Sequence, residues 1–362
     1  MTLSALRLPH PAVKGAIVQR HAASMWPYKL VCWVLERLLA TYPPEEFNLQ
    51  TNTPVTRLIK RAVDSGGGHC WIAHTPRGTI TADRVLLATN GHTSHLLPAF
   101  SDLIVPVRGQ IGALLPPLSS SSSSSSLLLS QQAQRVQLDA SYVFFGTVED
   151  EHGEGQAGMS TSTSTRDEYL VQRPLPNGEL ILGGGRNLAK NMAVGEWRDD
   201  EVEPQVARYL RSELEPVLDV GRAAAASTAS TASTASATTA STSTEAASNK
   251  QPELEATMEW TGIMAYSRDH GPWIGAVPSA LGGGSGLFMA AGFTGHGMPR
   301  CALAGRGVAR MMLASAGAGV QDHGIPEEFV ATAARAEEAR RRWGPVGTVD
   351  GMKALIADLK EV

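Results

Sequence analysis

Leu287-Phe288-Met289-Ala290-Ala291-Gly292-Phe293-Thr294-Gly295-His296-Gly297-Met298-Pro299 is the stretch on which the fold turns. The apolar run Leu287 to Ala291 predicts a strand covered on both faces. Glycines at 292, 295 and 297 predict a turn, and Pro299 suits the start of a helix reaching about Ala314. Glycines in such a turn let a ligand or another backbone approach closely, and the helix start offers unsatisfied N–H groups to negative charge. From spacing alone, the same residues equally form a tight strand-to-helix connection that binds nothing.

Outward from this point the chain alternates element types. Arg84-Val85-Leu86-Leu87-Ala88-Thr89 is a second short buried-strand run. Pro27 to Tyr42 carries apolar residues at helical spacing (Leu30, Val31, Val34, Leu35, Leu38, Leu39) and stops before Pro43. Phe47 to Thr51, Val55 to Arg61, His69 to His74 and Gly78 to Thr81 read as strands, the last two forming a hairpin. Ile104 to Leu115 is a longer strand despite Pro106. Tyr142 to Val148, Tyr169 to Pro174 and Glu179 to Gly183, with a turn at Asn177-Gly178, predict antiparallel sheet covered by a helix over Val202 to Val217. A charged helix follows Pro326, and its Arg335 to Arg342 segment, with Glu337 and Glu338, reads as a solvated face. The tracts Ser119 to Ser126, Met159 to Thr165 and Ala223 to Ser248, rich in Ser, Thr or Ala, cannot bury enough apolar surface to offset their ordering entropy and read as disordered insertions.

Charge narrows the function. With 31 Lys plus Arg against 35 Asp plus Glu, the net charge is −4, which leaves no basic excess for a nucleic acid or an anionic membrane surface. The longest apolar stretch, Leu30 to Ala40, is interrupted by Glu36 and Arg37 and is too short to span a bilayer. No secretory signal is readable, and Cys32, Cys70 and Cys301 are too scattered for a disulfide framework, so a cytoplasmic chain is expected. His92 with His95, and His69 with His74, lack the further partners a metal site needs, so no metal is expected. Ser285 sits in no nucleophile elbow.

The glycine turn resembles the C-terminal flavin motif of the D-amino-acid-oxidase-like FAD-dependent oxidoreductases. Other segments resemble that family in order and spacing: Trp26 to Leu30, Thr51 to Val55, Ala88-Thr89-Asn90-Gly91, Pro106-Val107-Arg108-Gly109-Gln110 and Trp260 to Asp269. The resemblance runs from about Ala16 to Leu313. It implies an α/β (α+β) fold with an incomplete Rossmann-like FAD-binding domain, discontinuous over 16–103 and 261–318. A largely antiparallel substrate domain would occupy 104–260, and a helical extension 319–362. The first βαβ unit with its Gly-x-Gly-x-x-Gly turn is not readable, and weak FAD binding by the chain as written is the matching expectation.

By the same resemblance, Val55 would make backbone contacts at the adenine end, and Ala88, Thr89, Asn90 and Gly91 would lie near the pyrophosphate. Arg108, Gly109 and Gln110 would pass the flavin ring. Gly292 belongs to the turn, and Gly295, His296, Gly297 and Met298 would place backbone N–H groups at flavin N1 and the C2 carbonyl; in this family the backbone there matters more than the imidazole. Tyr266 and Arg268 are the candidates for the substrate side, though each is equally a packing aromatic and a surface arginine. The implied reaction oxidises a C–N bond of a small amine or N-substituted amino compound by hydride transfer to FAD, with oxygen or another acceptor reoxidising the flavin. Met264 stands where glycine-oxidase-like members carry a carboxylate-binding arginine, while Trp260, Gly262, Ser267 and Arg268 follow the gamma-glutamylputrescine oxidoreductase pattern. That favours an amine over a free α-amino acid. Pro299 and Arg300 replace the lysine of sarcosine-oxidase-like members. The alternative is an inactive remnant that acts, if at all, by binding or assembly.

Overall fold

The computed structural model describes residues 2–9, 11, 13–62, 68–117, 135–148, 164–174, 178–212, 214, 217–220, 253–319, 322–347 and 350–351. The tracts at 119–126 and 223–248, residues 159–163 of the Ser/Thr tract, and Asn177 of the proposed turn lie outside them. In chain order the main elements are helix α1 (Pro27–Thr41), strands β1 (Arg57–Ala62), β2 (His69–Thr75), β3 (Gly78–Ala82) and β4 (Val85–Leu87), and short helix α2 (Thr93–Leu96). Then come β5 (Ile104–Leu114), β6 (Tyr142–Val148), β7 (Ser164–Gln172), β8 (Leu180–Gly183) and α3 (Pro204–Ser212). The series ends with β9 (Ala256–Ser267), β10 (Trp273–Ala276), β11 (Leu287–Ala291), α4 (Met298–Ala314) and α5 (Ala333–Arg342). Helices and mostly antiparallel sheets are thus mixed, as the sequence predicts.

The chain divides into two compact units. One gathers Met1–Ser24, Gln110–Gly185 and Glu203–Glu259; the other gathers Met25–Gly109, Arg186–Val202 and Trp260–Val362. The chain therefore passes from unit to unit inside β5 and again inside β9.

In the first unit β6, β7, β8 and β5 run antiparallel. Inward residues Leu114, Leu170, Leu180 and Leu182 are buried with Val206 and Leu210 of α3. Tyr209 of α3 donates its hydroxyl to Glu168 at 2.7 Å, which satisfies a carboxylate left almost without solvent. Strand β7 starts earlier than expected: Ser164 and Thr165 pair with Val148 and Thr147 of β6, so the end of the Ser/Thr tract belongs to the sheet, where the ladder supplies the hydrogen bonds its composition lacks.

The second unit holds two three-stranded sheets, β1-β2-β3 and β10-β11-β4. In the latter, β11 pairs parallel to β4 through Leu287–Val85, Phe288–Leu86 and Met289–Leu87, and antiparallel to β10. Parallel pairing puts the C-terminal ends of β4 and β11 side by side, so the Thr89-Asn90-Gly91 turn and the Gly292 to Gly297 turn emerge together. Trp273 and Phe100 meet edge to face, 5.5 Å apart, in a core that also buries Leu87, Leu287, Met289 and the alanines Ala336 and Ala339 of α5. Helix α1 forms where expected, with Pro27 opening it, yet none of its residues is buried: Val31 is 55% and Trp33 59% exposed.

Phe47 to Thr51 forms no strand. Arg77 donates to Gln50 and Thr53 at 2.9 Å, and the Thr53 hydroxyl bonds the carbonyl of Thr51, so side chains take the place of a ladder. The reading of α5 as a solvated face also needs correction. Arg341 and Glu338 do pair in solvent, but Arg335 is 11% exposed and grips Asp269 with Nε and Nη2 at 2.7 and 2.9 Å, while also donating to the carbonyls of Gly271 and Pro272. Its guanidinium lies 3.9 Å from the Trp273 ring centroid. Arg340 pairs with Asp102, which also accepts from Arg268.

Two measurements follow from these pairs. Breaking a buried ion pair by removing one partner costs about 3–5 kcal/mol, so Arg335→Met should lower the unfolding free energy by about that much in denaturant titration, while Arg341→Met should leave it within about 0.5 kcal/mol. The Asp102 carboxyl is held below its ordinary range chiefly by hydrogen bonds from Arg340, with the charges of Arg340 and Arg268 assisting and burial opposing. A carboxyl whose native value lies below its unfolded value, about 3.9, stabilises the fold fully above that value and loses the contribution as pH falls through the native one. Stability measured from about pH 5 down to about pH 2.5 should therefore fall less steeply in Asp102→Asn than in the parent chain.

Candidate active site

The turn after β11 is suspended from its neighbours by buried hydrogen bonds. Asn90 Oδ1 accepts from the Gly292 N–H at 3.1 Å, the Thr294 N–H donates to the Ala265 carbonyl at 2.7 Å, and the Ser267 N–H donates to Thr294 Oγ1 at 3.1 Å. Thr294, at φ 51°, is one of few non-glycine residues with a left-handed backbone, and these bonds hold it there. Helix α4 then starts at Met298 with Gly297 at its cap, and no side chain caps it. Its first turn has no acidic residue. The Gly297 and Met298 N–H groups have no backbone partner among the described residues, and they lie at the positive end of the helix dipole.

Gly295 adopts φ 74°, and among the described residues, its chain neighbours apart, the Tyr266 hydroxyl alone comes near the place a β-carbon would take, at 3.6 Å. Backbone at this point is accessible to a ligand in a way that a side-chain-bearing residue would not permit. Tyr266 is 5% exposed, its ring packed with Val105 and Val107 of β5. Arg186, at the start of a short 3-10 turn, donates Nη1 to the Tyr266 hydroxyl at 2.7 Å. Because the hydroxyl oxygen accepts that bond, its own hydrogen is left to donate elsewhere. His296 Nδ1 lies 2.7 Å from the Thr294 carbonyl, which can only accept, so Nδ1 carries the proton. Burial pushes the Cys301 thiol up, away from a reactive thiolate.

The remaining residues singled out by sequence are spread over several elements. Ala88, Thr89, Asn90 and Gly91 lie at the turn beside Gly292. Gly91 is required by the protein itself: a β-carbon there would meet the Met264 carbonyl and Ile263 Cγ2, both at 2.8 Å. Thr89 and Thr93 hydroxyls are 2.9 Å apart. Val55 precedes β1, half-buried. Arg108 lies in β5 with Nη1 3.8 Å from Glu201, and Gly109 faces the Met264 side chain, whose Cε would be 3.0 Å from a β-carbon. Gln110 belongs to the first unit, where its amide bonds both the N–H and the carbonyl of Glu203. Arg268 commits its guanidinium to Asp102 and to the carbonyls of Trp343 and Arg340. Tyr266 therefore sits with Gly295 and Arg186, and Arg268 is anchored to α5. Sequence reasoning missed Arg186, which stands 80 positions from Tyr266; the only local signal was the Gly183-Gly184-Gly185 run before it.

Flavin N1 and the C2 carbonyl form an acceptor edge that gains negative charge on reduction. An uncapped helix N-terminus behind an unobstructed glycine backbone matches that edge in shape and sign, so the residues present fit FAD at this turn. Among the described residues no cluster of His, Cys, Asp and Glu could hold a metal ion, and no helix is long and apolar enough to cross a membrane.

Comparison with known proteins gives the family. A search of curated proteins finds no match. Among solved structures, the chain is similar to glycine oxidase from Geobacillus kaustophilus (17% identity, TM-score 0.43, covering 78% of this chain and 52% of that one). It is also similar to the fructosyl amine:oxygen oxidoreductase Amadoriase I from Aspergillus fumigatus (12%, 0.44, 79% and 50%). A third likeness is to iminodiacetate oxidase from Chelativorans sp. BNC1 (13%, 0.42, 76% and 52%). The chain spans about half the length of each. Residues 2–311 match the family described as FAD dependent oxidoreductase. The chain belongs to that family, and the cofactor of the family is FAD.

Proposed function

We propose that this chain forms the flavin-edge and substrate side of an enzyme that oxidises a C–N bond of a small amine or N-substituted amino compound. The observation that carries this reading is the grouping of the Tyr266 hydroxyl, the Arg186 guanidinium and the bare backbone at Gly295 in front of the α4 N-terminus. Bound FAD supplies the hydride acceptor. The chain's own contribution is orientation and charge: the N–H groups opening α4 stabilise negative charge at the acceptor edge, and the Tyr266 hydroxyl donates to an acceptor atom on the substrate. Arg186 holds the phenol in one orientation and adds positive charge beside it, which suits a substrate that carries a carboxylate or carbonyl near the amine. On this reading the cation that β9 lacks at Met264 comes from Arg186 in the 3-10 turn.

Tyr266→Phe keeps the ring packing and removes one hydrogen bond, a loss of about 1–1.5 kcal/mol. It should lower kcat/KM for the best substrate about tenfold. A panel of glycine, D-alanine, N-methyl and N-carboxymethyl amines and polyamine derivatives, assayed by flavin bleaching without oxygen, tests the substrate class. Bleaching by none of the amines would overturn the proposal and favour the inactive remnant.

Gly297 has φ −72°, so a side chain there costs no backbone strain, and its β-carbon would meet Cys301 Sγ at 3.3 Å, a contact a small shift relieves. Gly297→Val should accordingly keep a native melting temperature within a few degrees while losing absorbance near 450 nm, the oxidised-flavin band, in a flavin-loaded preparation. Full retention of flavin would show that no ring edge lies against this backbone.

A further inference from the structure

The two ends of β11 differ in chemistry. Its C-terminal end leads to the flavin turn, and its N-terminal end opens on a cavity of about 810 Å³, within the range that takes a small organic molecule. Gly284, Ser285 and Gly286, the end of the glycine run that precedes β11 and has no part in the flavin motif, line it. Carbonyls of this run are used by the protein: Ser285 O accepts from Trp71 Nε1 at 2.9 Å, and Gly286 O from the Val85 N–H at 2.8 Å. The N–H groups of Ser285 and Gly286 have no partner among the described residues. Arg310 of α4 also lines the cavity, half-buried, and makes no hydrogen bond or ion pair among the described residues.

Further donors converge on the same space. His323 lines it with Nδ1 accepting from the Ile325 N–H at 3.1 Å, which leaves Nε2 as the N–H donor. Ser279 adds a hydroxyl. Lys60 of β1, exposed and outside the lining, has its ammonium beside Gly284, 2.5 Å from where a β-carbon would sit. No lining residue is acidic, and the nearby Asp322 is turned to the Gly324 N–H. The floor is apolar, with Val277, Phe288 and Ala331 all buried. Paired backbone donors in a glycine loop, together with an unpaired guanidinium, match the tetrahedral oxygens of a phosphate, and the apolar floor suits an organic group attached to it.

We infer that this cavity binds a phosphate monoester of a small organic molecule, with the phosphate on Arg310 and the Ser285–Gly286 backbone and the organic group over Phe288. The site is separate from the flavin turn and does not depend on the reaction proposed there. Isothermal titration of the full chain with phenyl phosphate, inorganic phosphate and benzoate tests it. One-to-one binding of phenyl phosphate, tighter than either single-feature probe, is expected. Arg310→Gln should weaken it about tenfold or more and Lys60→Gln less, while Gly297→Val leaves it unchanged. A second measurement needs no variant: phenyl phosphate should protect Arg310 of the parent chain from modification by phenylglyoxal. Absence of saturable phenyl phosphate binding, unchanged affinity in a folded Arg310→Gln, equal binding of benzoate, or no protection of Arg310 would each overturn the assignment.

Discussion

The geometry of the second unit depends on the need to neutralise one carboxylate, Asp269, which the chain buries just after β9. A buried charge is tolerated only when paired and fully hydrogen-bonded. Arg335 reaches it from α5 with two hydrogen bonds, and Ser267 Oγ adds a third at 2.7 Å while accepting from Trp273 Nε1 at 2.9 Å. These bonds fix the end of β9, the start of β10 and the angle of α5 together. Once β9 is fixed, the Ala265 carbonyl and the Ser267 N–H stand where Thr294 needs them. The Gly292 to Gly297 turn is therefore positioned by hydrogen bonds from β9, which the Asp269 network fixes.

The glycines of the recognised segments divide by what they face. Gly91 is constrained by the backbone of β9, so its absence of a side chain is explained by packing alone. Gly295 is different: its left-handed backbone presents no such collision, and among the described residues, its chain neighbours apart, the Tyr266 hydroxyl alone is near. Motif resemblance cannot separate these two causes. A spatial measurement can, and it concentrates the ligand-facing argument on Gly295 and the helix start beyond it.

Sequence was legible where one strong period or one punctuating residue governed the chain. β6 and β11 match their expected bounds, and α1 and α4 fall within a residue of them, because continuous apolar runs and N-terminal prolines leave few alternatives. β9 was read only around Gly262 to Tyr266, since Glu259 and Gly262 interrupt any clean alternation along its length. The arginines of α5 looked solvated because a local window sees charge but not Asp269, 66 positions away. Arg186 escaped for the same reason. At the site, the turn itself was visible, whereas its side-chain company was set by tertiary contacts that no local pattern encodes.

That company changes what position 264 means. A methionine there removes a cation from β9, and Met264 instead packs with Val105, Val107 and Tyr266 as ordinary apolar filling. A side chain reaches a given point in space from any element nearby, and Arg186 enters from the 3-10 turn with its Nη1 on the Tyr266 oxygen. A guanidinium is planar and rigid, so a bond to the phenol fixes the orientation of both groups. The phenol, having accepted, must donate outward. On the function proposed above, this pair would face the substrate while the backbone at Gly295 and the start of α4 would face the cofactor, so the two duties fall to different atoms of the same small region.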